Sequence, residues 1–194
     1  MHVIKKPHTI TGLDMGSSKI SAATLELFDA SPGSRILAYE SQPSKGIFRG
    51  SIMSLDEASN SVAKVLTKLS EKISRGPGNI YVNISGEAVT GERSRGMIPL
   101  SSRGREVTKS DMAKCVNAAG TIRLPFDREI IHRIVLNYSI DDQPAIKNPF
   151  GLYASRLSCE MYVITAGINH IQNIYKCVDN AGYDIRGEIG RAHV

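Results

Sequence analysis

The sequence predicts an α/β fold that carries an inserted α+β module. Strand-like runs alternate along the chain with three segments of helical periodicity. Between residues 86 and 106 the composition shifts to Arg, Ser and Gly, which separates a middle segment from the rest. These observations indicate one α/β domain interrupted by a second module, and no internal repeat is visible.

The first part of the chain reads as three strands, a helix and a fourth strand. The three strands are expected at residues 9–14, 19–28 and 35–42. Ser54 and Glu57 form the pattern of a capping box, so a helix is expected to begin there. Residues 79–85 alternate strictly between polar and apolar, as in a half-buried strand.

The remaining elements follow from the same signals. Strands are expected at residues 88–92, 97–100, 130–140 and 157–166. A second helix is expected to begin at Thr108 and to end near Ile122. A third is expected to be capped by Asn169 and to end at Gly182, with one more strand from Tyr183.

Composition narrows the class of protein. The chain has 194 residues, and 41% of them are hydrophobic. The sequence has no apolar run long enough for a transmembrane helix and no signal peptide at its start. A cytoplasmic protein is therefore expected. The net charge of +5 permits acidic partners, but the sparse aromatic residues argue against nucleic acid. Three widely spaced cysteines predict reduced thiols.

The segment GLDMGSSKI has the chemistry of a phosphate-binding turn. Gly16 allows close approach of the backbone, Ser17 and Ser18 supply hydroxyl donors, and Lys19 supplies a positive charge. Asp14 would repel a phosphate directly but can hold a hydrated Mg²⁺. The segment is neither a P-loop nor a dinucleotide fingerprint, and alone it also fits an ordinary hairpin turn.

This turn and several segments further along the sequence resemble those of a known protein family. A D-x-G-[ST]-[ST]-K turn between two strands resembles the first phosphate loop of the actin, Hsp70 and sugar-kinase superfamily. Further segments are similar, in the same order, to the FtsA family of bacterial cell-division proteins. They are Pro43-Ser44-Lys45-Gly46 with Gly50, Ile84-Ser85-Gly86, Gly96–Leu100, Thr108–Asp111, Ile131-His132, Tyr138–Asp141, Ile146–Leu152 and Arg156-Leu157. The resemblance covers residues 9–187.

The resemblance implies the N-terminal part of an actin-like, ribonuclease H-like ATPase fold. Residues 1–85 and 160–188 would form an incomplete first subdomain, and residues 86–159 the insert that is characteristic of the family. Residues 189–194 have no counterpart in the family and match what a sequencing adapter would encode, so we expect a non-native tail. The chain is therefore expected to be a fragment.

The resemblance also implies a function for the full-length protein. It would bind ATP with Mg²⁺, polymerise, and tether FtsZ filaments to the inner face of the cell membrane at the septum. Asp14, Gly16, Ser17, Ser18 and Lys19 match the first phosphate loop, with Asp14 placing the metal through water. The second phosphate loop, the FtsZ-docking lobe and the membrane helix are missing. Because a cleft with one wall cannot enclose a nucleotide, the fragment should bind ATP weakly or not at all. The full-length protein would be at most a weak ATPase.

The insert carries a cluster of basic residues, Arg93, Arg95, Arg103 and Arg105. The family's insert serves self-assembly and recruits later division proteins, so these arginines are expected to form a surface for acidic cytoplasmic tails. A solvated loop is the alternative. For the whole chain, two other members of the superfamily remain as alternatives, an actin-like type IV pilus assembly protein and a sugar-kinase-like phosphotransferase.

Overall fold

The computed structural model describes residues 8–28, 33–73, 76–141 and 143–190. In chain order the elements are β1 (His8–Met15), β2 (Lys19–Leu27), β3 (Ser34–Pro43), β4 (Ile47–Phe48), β5 (Ser51–Ile52), α1 (Leu55–Ile73), β6 (Asn79–Ile84), β7 (Val89–Pro99), β8 (Arg105–Glu106), α2 (Lys109–Gly120), β9 (Arg128–Ile140), β10 (Gln143–Ile146), β11 (Tyr153–Ala154), β12 (Arg156–Gly167), α3 (Ile168–Asn180) and β13 (Ile185–Gly190). They form two compact units, divided after residues 89 and 165.

The first unit is built on a five-stranded sheet in the order β13-β6-β1-β2-β3. β1, β2 and β3 are antiparallel neighbours, while β6 pairs in parallel with β1 and β13 in parallel with β6. Burial alternates along β1, with Leu13 and Met15 buried and Asp14 exposed. Since successive side chains of a strand point to opposite faces, Asp14 lies on the face opposite the buried residues.

Two helices complete this unit. α1 follows Ser54, whose Oγ accepts a hydrogen bond from the backbone N–H of Glu57 at 3.4 Å, and it packs against β2, β3 and α3. Its buried apolar positions recur at helical spacing and are Ala58, Val62, Val65, Leu66 and Leu69. Burying each of the larger side chains contributes about 1.5–3 kcal/mol, so this stripe fixes α1 on the sheet.

The start of α3 differs from the sequence prediction. The residue that precedes its first turn is Gly167, which offers no side-chain cap, whereas Asn169 is exposed within the first turn. The predicted end is confirmed. Gly182 has a φ of 87°, its N–H donates to the Asp179 carbonyl at 2.8 Å, and the N–H of Tyr183 donates to the Val178 carbonyl at 3.2 Å. This pair of bonds is a Schellman motif.

The second unit comprises residues 90–165 and has a four-stranded sheet in the order β10-β9-β12-β7. Its core joins α2 to this sheet through Cys115 and Ala119 of the helix and Leu157, Cys159 and Met161 of β12. The Thr108 cap is confirmed as a full capping box with Asp111. This unit therefore has a hydrophobic core of its own.

β7 is one strand where two short strands were predicted. The predicted break lies near Gly96, but β7 continues through it. A Cβ at Gly96 would overlap the backbone of Ala118 and Ala119, so the glycine lets α2 lie close to an unbroken strand. Gly96 therefore marks a close approach of α2 to β7 and not a break in the strand.

The ends of two other strands differ from the expected segment limits. β12 runs without interruption past residue 159, and the division between the units falls after residue 165. Ile189 and Gly190, which the sequence analysis excluded, pair with Asn83 and Ile84 of β6 as part of β13. The remainder of the expected non-native tail, residues 191–194, lies outside the described residues.

All three cysteines are free and buried, as predicted for reduced thiols. Cys115, Cys159 and Cys177 are each 0% exposed. Burial raises the pKa of the Cys115 thiol to about 11 and also raises the pKa values of the other two. Because the thiolate is the reactive form, these side chains act as core residues.

Candidate functional site

The predicted phosphate turn joins β1 to β2. Its ends lie together because the N–H of Gly16 donates to the Lys19 carbonyl at 3.1 Å. A Cβ added at Gly16 would lie 2.9 Å from that same carbonyl oxygen, so a larger residue would force the turn open. Ser17, Ser18 and Lys19 are all exposed at its tip. The turn is therefore tight, and it presents hydroxyl groups and one positive charge to solvent.

A second loop, residues 44–50, lies against the turn. The N–H of Ser44 donates to the Ser18 carbonyl at 3.0 Å, and the N–H of Gly50 donates to the Ser17 Oγ at 3.3 Å. Gly50 has a φ of 80°, and a Cβ there would lie 2.6 Å from the Ser85 carbonyl oxygen. Only glycine fits this contact with Ser85. The two hydrogen bonds from Ser44 and Gly50 hold the loop against the turn.

Asn83 of β6 holds the two residues of β1 that lead into the turn. Its Nδ2 donates to the Asp14 carboxylate at 2.5 Å, and its Oδ1 accepts from the N–H of Met15 at 2.8 Å. One side chain thus fixes both the carboxylate and the first amide of the turn. Asn83 was not among the residues predicted for this site. The available signal was its place in the alternating strand, on the face that also carries Tyr81.

An open cavity of about 510 Å³ lies on the sheet face beside Asp14 and Asn83. Ser21 and Tyr39 also line it, and the Tyr39 hydroxyl donates to the Ser21 Oγ at 3.3 Å. Hydrogen bonding with Ser21, and next with Ser41, lowers the pKa of Tyr39. The cavity thus combines one carboxylate with an amide and hydroxyl groups.

These groups fit a magnesium ion only in one way. In the described part of the chain no three His, Cys, Asp or Glu side chains come together as a metal-binding group. Mg²⁺ in nucleotide sites often keeps several waters and is held by phosphates with one or two carboxylates. The single carboxylate of Asp14 therefore fits a hydrated Mg²⁺ that a bound phosphate brings with it.

The four arginines singled out in the insert have different settings. Arg93 pairs with Glu160 at 3.2 Å, and Arg103 is exposed in the turn after β7. Arg105 donates from both terminal nitrogens to Asp111, at 2.6 and 2.7 Å. This fork, with the bonds from Thr108, holds the pKa of the Asp111 carboxyl well below its usual range. Arg105 thus serves the cap of α2, which the sequence analysis did not anticipate.

Arg95 has a different setting from the other three. It is exposed on β7 and lines a cavity of about 560 Å³ in the second unit. Arg156, which the sequence analysis did not select as a site residue, lines the same cavity. The arginine pair at this cavity is therefore Arg95 with Arg156, which are far apart in sequence but meet through the sheet.

Comparisons with known proteins find similarity to FtsA proteins. A family model described as the SHS2 domain inserted in FtsA matches residues 86–165. The cell division protein FtsA of Borreliella burgdorferi is 32% identical over 91% of this chain and 42% of its own length. Residues 86–165 thus match the domain inserted in FtsA, and the chain is similar to FtsA proteins over nearly its whole length. Its predicted α/β class with an inserted subdomain is thereby confirmed.

Two further relatives agree with this assignment. The FtsA proteins of Pseudomonas aeruginosa and Escherichia coli are 26% and 27% identical over 95% and 91% of this chain. The matches cover 44% and 41% of those proteins, so the chain spans less than half the length of the curated FtsA relatives it matches.

A solved structure supports the fold. The chain resembles a protein chain of the PilM-PilN type IV pilus biogenesis complex with a TM-score of 0.56, over 94% of this chain and 47% of that one. At 15% sequence identity this likeness shows the actin-like fold alone. No helix among the described residues is long and apolar enough to cross a membrane.

Proposed function

We propose that the chain is the part of an FtsA-type division protein that holds the first phosphate-binding wall of an ATP site. The main supporting observation is that both the loop at residues 44–50 and Asn83 hold the turn in place. The Gly16 N–H closes it, Gly50 contacts Ser17, and Asn83 fixes the residues at its start. A turn that is held by these contacts can offer hydroxyl and amide groups to a phosphate without further reorganisation.

Each residue of the turn has a role in this proposal. Gly16, Ser17 and Ser18 would contact the phosphates through backbone N–H groups and hydroxyls, and Lys19 would pair with a phosphate oxygen. Asp14, already held by Asn83, would accept hydrogen bonds from the waters of a Mg²⁺ bound to the phosphates. The metal would add charge neutralisation, while the chain's own residues would orient the nucleotide.

Similarity to FtsA proteins supports a wider proposal for the whole protein. We infer self-association, attachment of FtsZ filaments to the inner face of the cell membrane at the division site, and recruitment of division proteins through the arginine-bearing insert. The chain spans less than half the length of these relatives. In this proposal the FtsZ-docking lobe and the membrane-binding helix would lie in further parts of a longer protein. ATP hydrolysis would be weak at most.

The nucleotide proposal can be tested by titrating the chain with Mg-ATP and following backbone amide shifts by NMR. We expect millimolar affinity, since the described wall is open, with the largest shifts at residues 14–19 and 44–50. Lys19→Ala should reduce the shifts, whereas Lys64→Ala removes the same charge from the exposed side of α1 and should not.

Two results would contradict the proposal. Shifts that avoid both loops, or that Lys19→Ala leaves unchanged, would remove the phosphate role of the turn. Micromolar affinity would show that this chain alone encloses the nucleotide, and the one-walled site would be wrong.

A further inference from the structure

The loop at residues 44–50 brings a second cation, Arg49, close to the candidate phosphate turn. Arg49 precedes Gly50, whose N–H donates to the Ser17 Oγ at 3.3 Å. Since only two covalent bonds separate the Arg49 Cα from the Gly50 nitrogen, this Cα lies within about 6 Å of the Ser17 hydroxyl oxygen. An extended arginine side chain is longer than this distance. The Arg49 guanidinium can therefore reach an anion that contacts Ser17.

The hydrogen bond from Gly50 also determines what the Ser17 hydroxyl can do. Its oxygen accepts from the Gly50 N–H, so the hydroxyl can still donate its own hydrogen to another acceptor. Ser17 is exposed at the tip of the turn, where a ligand can approach that hydrogen from solvent. A phosphate group placed there would meet a neutral donor from Ser17 and a charged donor from Arg49.

The backbone at Arg49 is held where two segments of the chain cross. A Cβ at Gly50 would lie 2.6 Å from the Ser85 carbonyl oxygen, and a Cβ at Gly86 would overlap the Arg49 carbonyl oxygen. The two glycines thus let residues 49–50 pass close to residues 85–86. Arg49 itself has a φ of 48°, in the left-handed region that residues other than glycine rarely adopt. Such strain persists where the surrounding structure enforces it, and it is concentrated at functional sites.

The guanidinium of Arg49 is held more loosely than its backbone. Its Nη1 pairs with the Glu87 carboxylate at 3.2 Å, and the two side chains are 70% and 79% exposed. It also lies over the ring of Phe48, 5.5 Å from the ring centroid. An ion pair this exposed contributes little free energy, because both charges are well solvated when apart. A ligand that offers stronger hydrogen bonds can therefore replace Glu87.

We propose that Arg49 is a phosphate-binding residue of the nucleotide site and that Glu87 holds its guanidinium while no phosphate is bound. On binding, the guanidinium exchanges the Glu87 carboxylate for phosphate oxygens beside Ser17, and Glu87 is released to solvent. A phosphate group with two negative charges attracts the guanidinium more strongly than a carboxylate with one. The inference rests on the proposed nucleotide role of the turn and deepens it, since it adds a cation from a separate loop and a carboxylate that competes for that cation.

The test titrates the 194-residue chain with Mg-ATP and follows the NMR cross peaks of the arginine Nε–H groups and the backbone amides. We expect the Arg49 Nε–H peak to shift along the same saturation curve as the amides of residues 16–18. Arg49→Gln should weaken binding about fivefold, because it removes a charged donor and leaves the turn in place. Glu87→Gln should tighten binding about twofold, because it removes the competing carboxylate.

Arg186→Gln is the matched control for the loss of a positive charge. Arg186 is exposed at the start of β13, which lies at the end of the sheet opposite to the turn because β13, β6 and β1 are parallel. A phosphate at the turn is screened from this charge, so the change in affinity should be much smaller than in Arg49→Gln. If Arg49→Gln disturbs the loop, Glu87→Gln still decides, because it leaves the loop sequence unchanged.

Four results would overturn the inference. They are an Arg49 Nε–H peak that stays in place while residues 16–18 shift, an unchanged affinity in Arg49→Gln, an equal loss in Arg186→Gln, or no tightening in Glu87→Gln. Each of them leaves the nucleotide proposal standing as long as Lys19→Ala still reduces the shifts at the turn. If the amides of the turn do not shift at all, the nucleotide proposal is wrong and this inference is wrong with it.

Discussion

At the scale of single residues, the candidate nucleotide site depends on one amide side chain. Asn83 bonds the Asp14 carboxylate and the Met15 N–H at once, so it fixes the first residues of the turn. No other described contact reaches both groups. Its role is to position Asp14, and its own atoms need not touch a ligand.

Asn83→Ala should therefore show how much the positioning of Asp14 matters while the charge of Asp14 is kept. It leaves the Met15 N–H and the Asp14 carboxylate without this partner, which costs about 1–3 kcal/mol of unfolding free energy. It should also weaken Mg-ATP binding while leaving phosphate binding without Mg²⁺ nearly unchanged, because Lys19 and the hydroxyls remain. Urea unfolding and NMR titration measure the two effects.

Asn79→Ala is the matched control for this change. Asn79 is the same residue type in the same strand but is exposed at its first position. If both variants lose the same stability, or if Asn83→Ala weakens both titrations equally, Asn83 has no specific role at Asp14.

At the scale of elements, the sequence predicted strands and helices well where the signal is local. The turn after β1, the Thr108 cap and the end of α3 at Gly182 all depend on neighbours a few residues away. Predictions failed where distant residues decide. β7 continues through Gly96 because α2 lies on it, and α3 begins after Gly167 directly at the end of β12.

The candidate sites follow the same rule. The residues of the turn could be selected from sequence because they are contiguous. Other site residues are brought into place by strand pairing, which no local pattern specifies. Asn83 is 69 positions from Asp14, and Arg156 lies near Arg95 only because their strands are in one sheet. Arg105 looked like part of a charged surface, yet its partner Asp111 lies in the first turn of α2.

The cap of α2 predicts a dependence of stability on pH. Asp111 has a lowered pKa in the folded state, so it stabilises the fold at pH values above the unfolded pKa of about 3.9. This contribution is lost as the pH falls from there through the folded pKa. Asp111→Ala should destabilise the chain by about 1–2 kcal/mol at pH 7 and by less at pH 2, where part of the contribution is already lost. Urea unfolding at both pH values measures the difference.

The control is Asp179→Ala, which removes an aspartate for which no such ion pair is described. It should change stability little and similarly at both pH values. A loss in Asp111→Ala that persists undiminished at pH 2 would show that the helix depends on packing at this position and not on the charged cap.

At the scale of the whole molecule, the second unit has what an independently folding domain needs. It has its own four-stranded sheet, a helix and a core cluster. Its first and last strands are neighbours, with the Thr90 and Thr165 hydroxyls 3.1 Å apart and the Arg128 guanidinium bonded to both. Because its two ends meet, this unit can be inserted into another domain without separating the flanking strands of that domain.

A chain of residues 86–167 should therefore fold alone and unfold in one cooperative urea transition. A chain of residues 86–159 should not, because it ends inside β12 and lacks Met161 and Val163, both 0% exposed in the core. Losing two such side chains costs several kcal/mol, a large part of the 5–15 kcal/mol that stabilises a typical domain. Circular dichroism with urea compares the two. If both pieces unfold cooperatively with similar midpoints, the end of β12 is dispensable and the domain boundary lies near residue 159. If neither does, the insert depends on the surrounding unit for its stability.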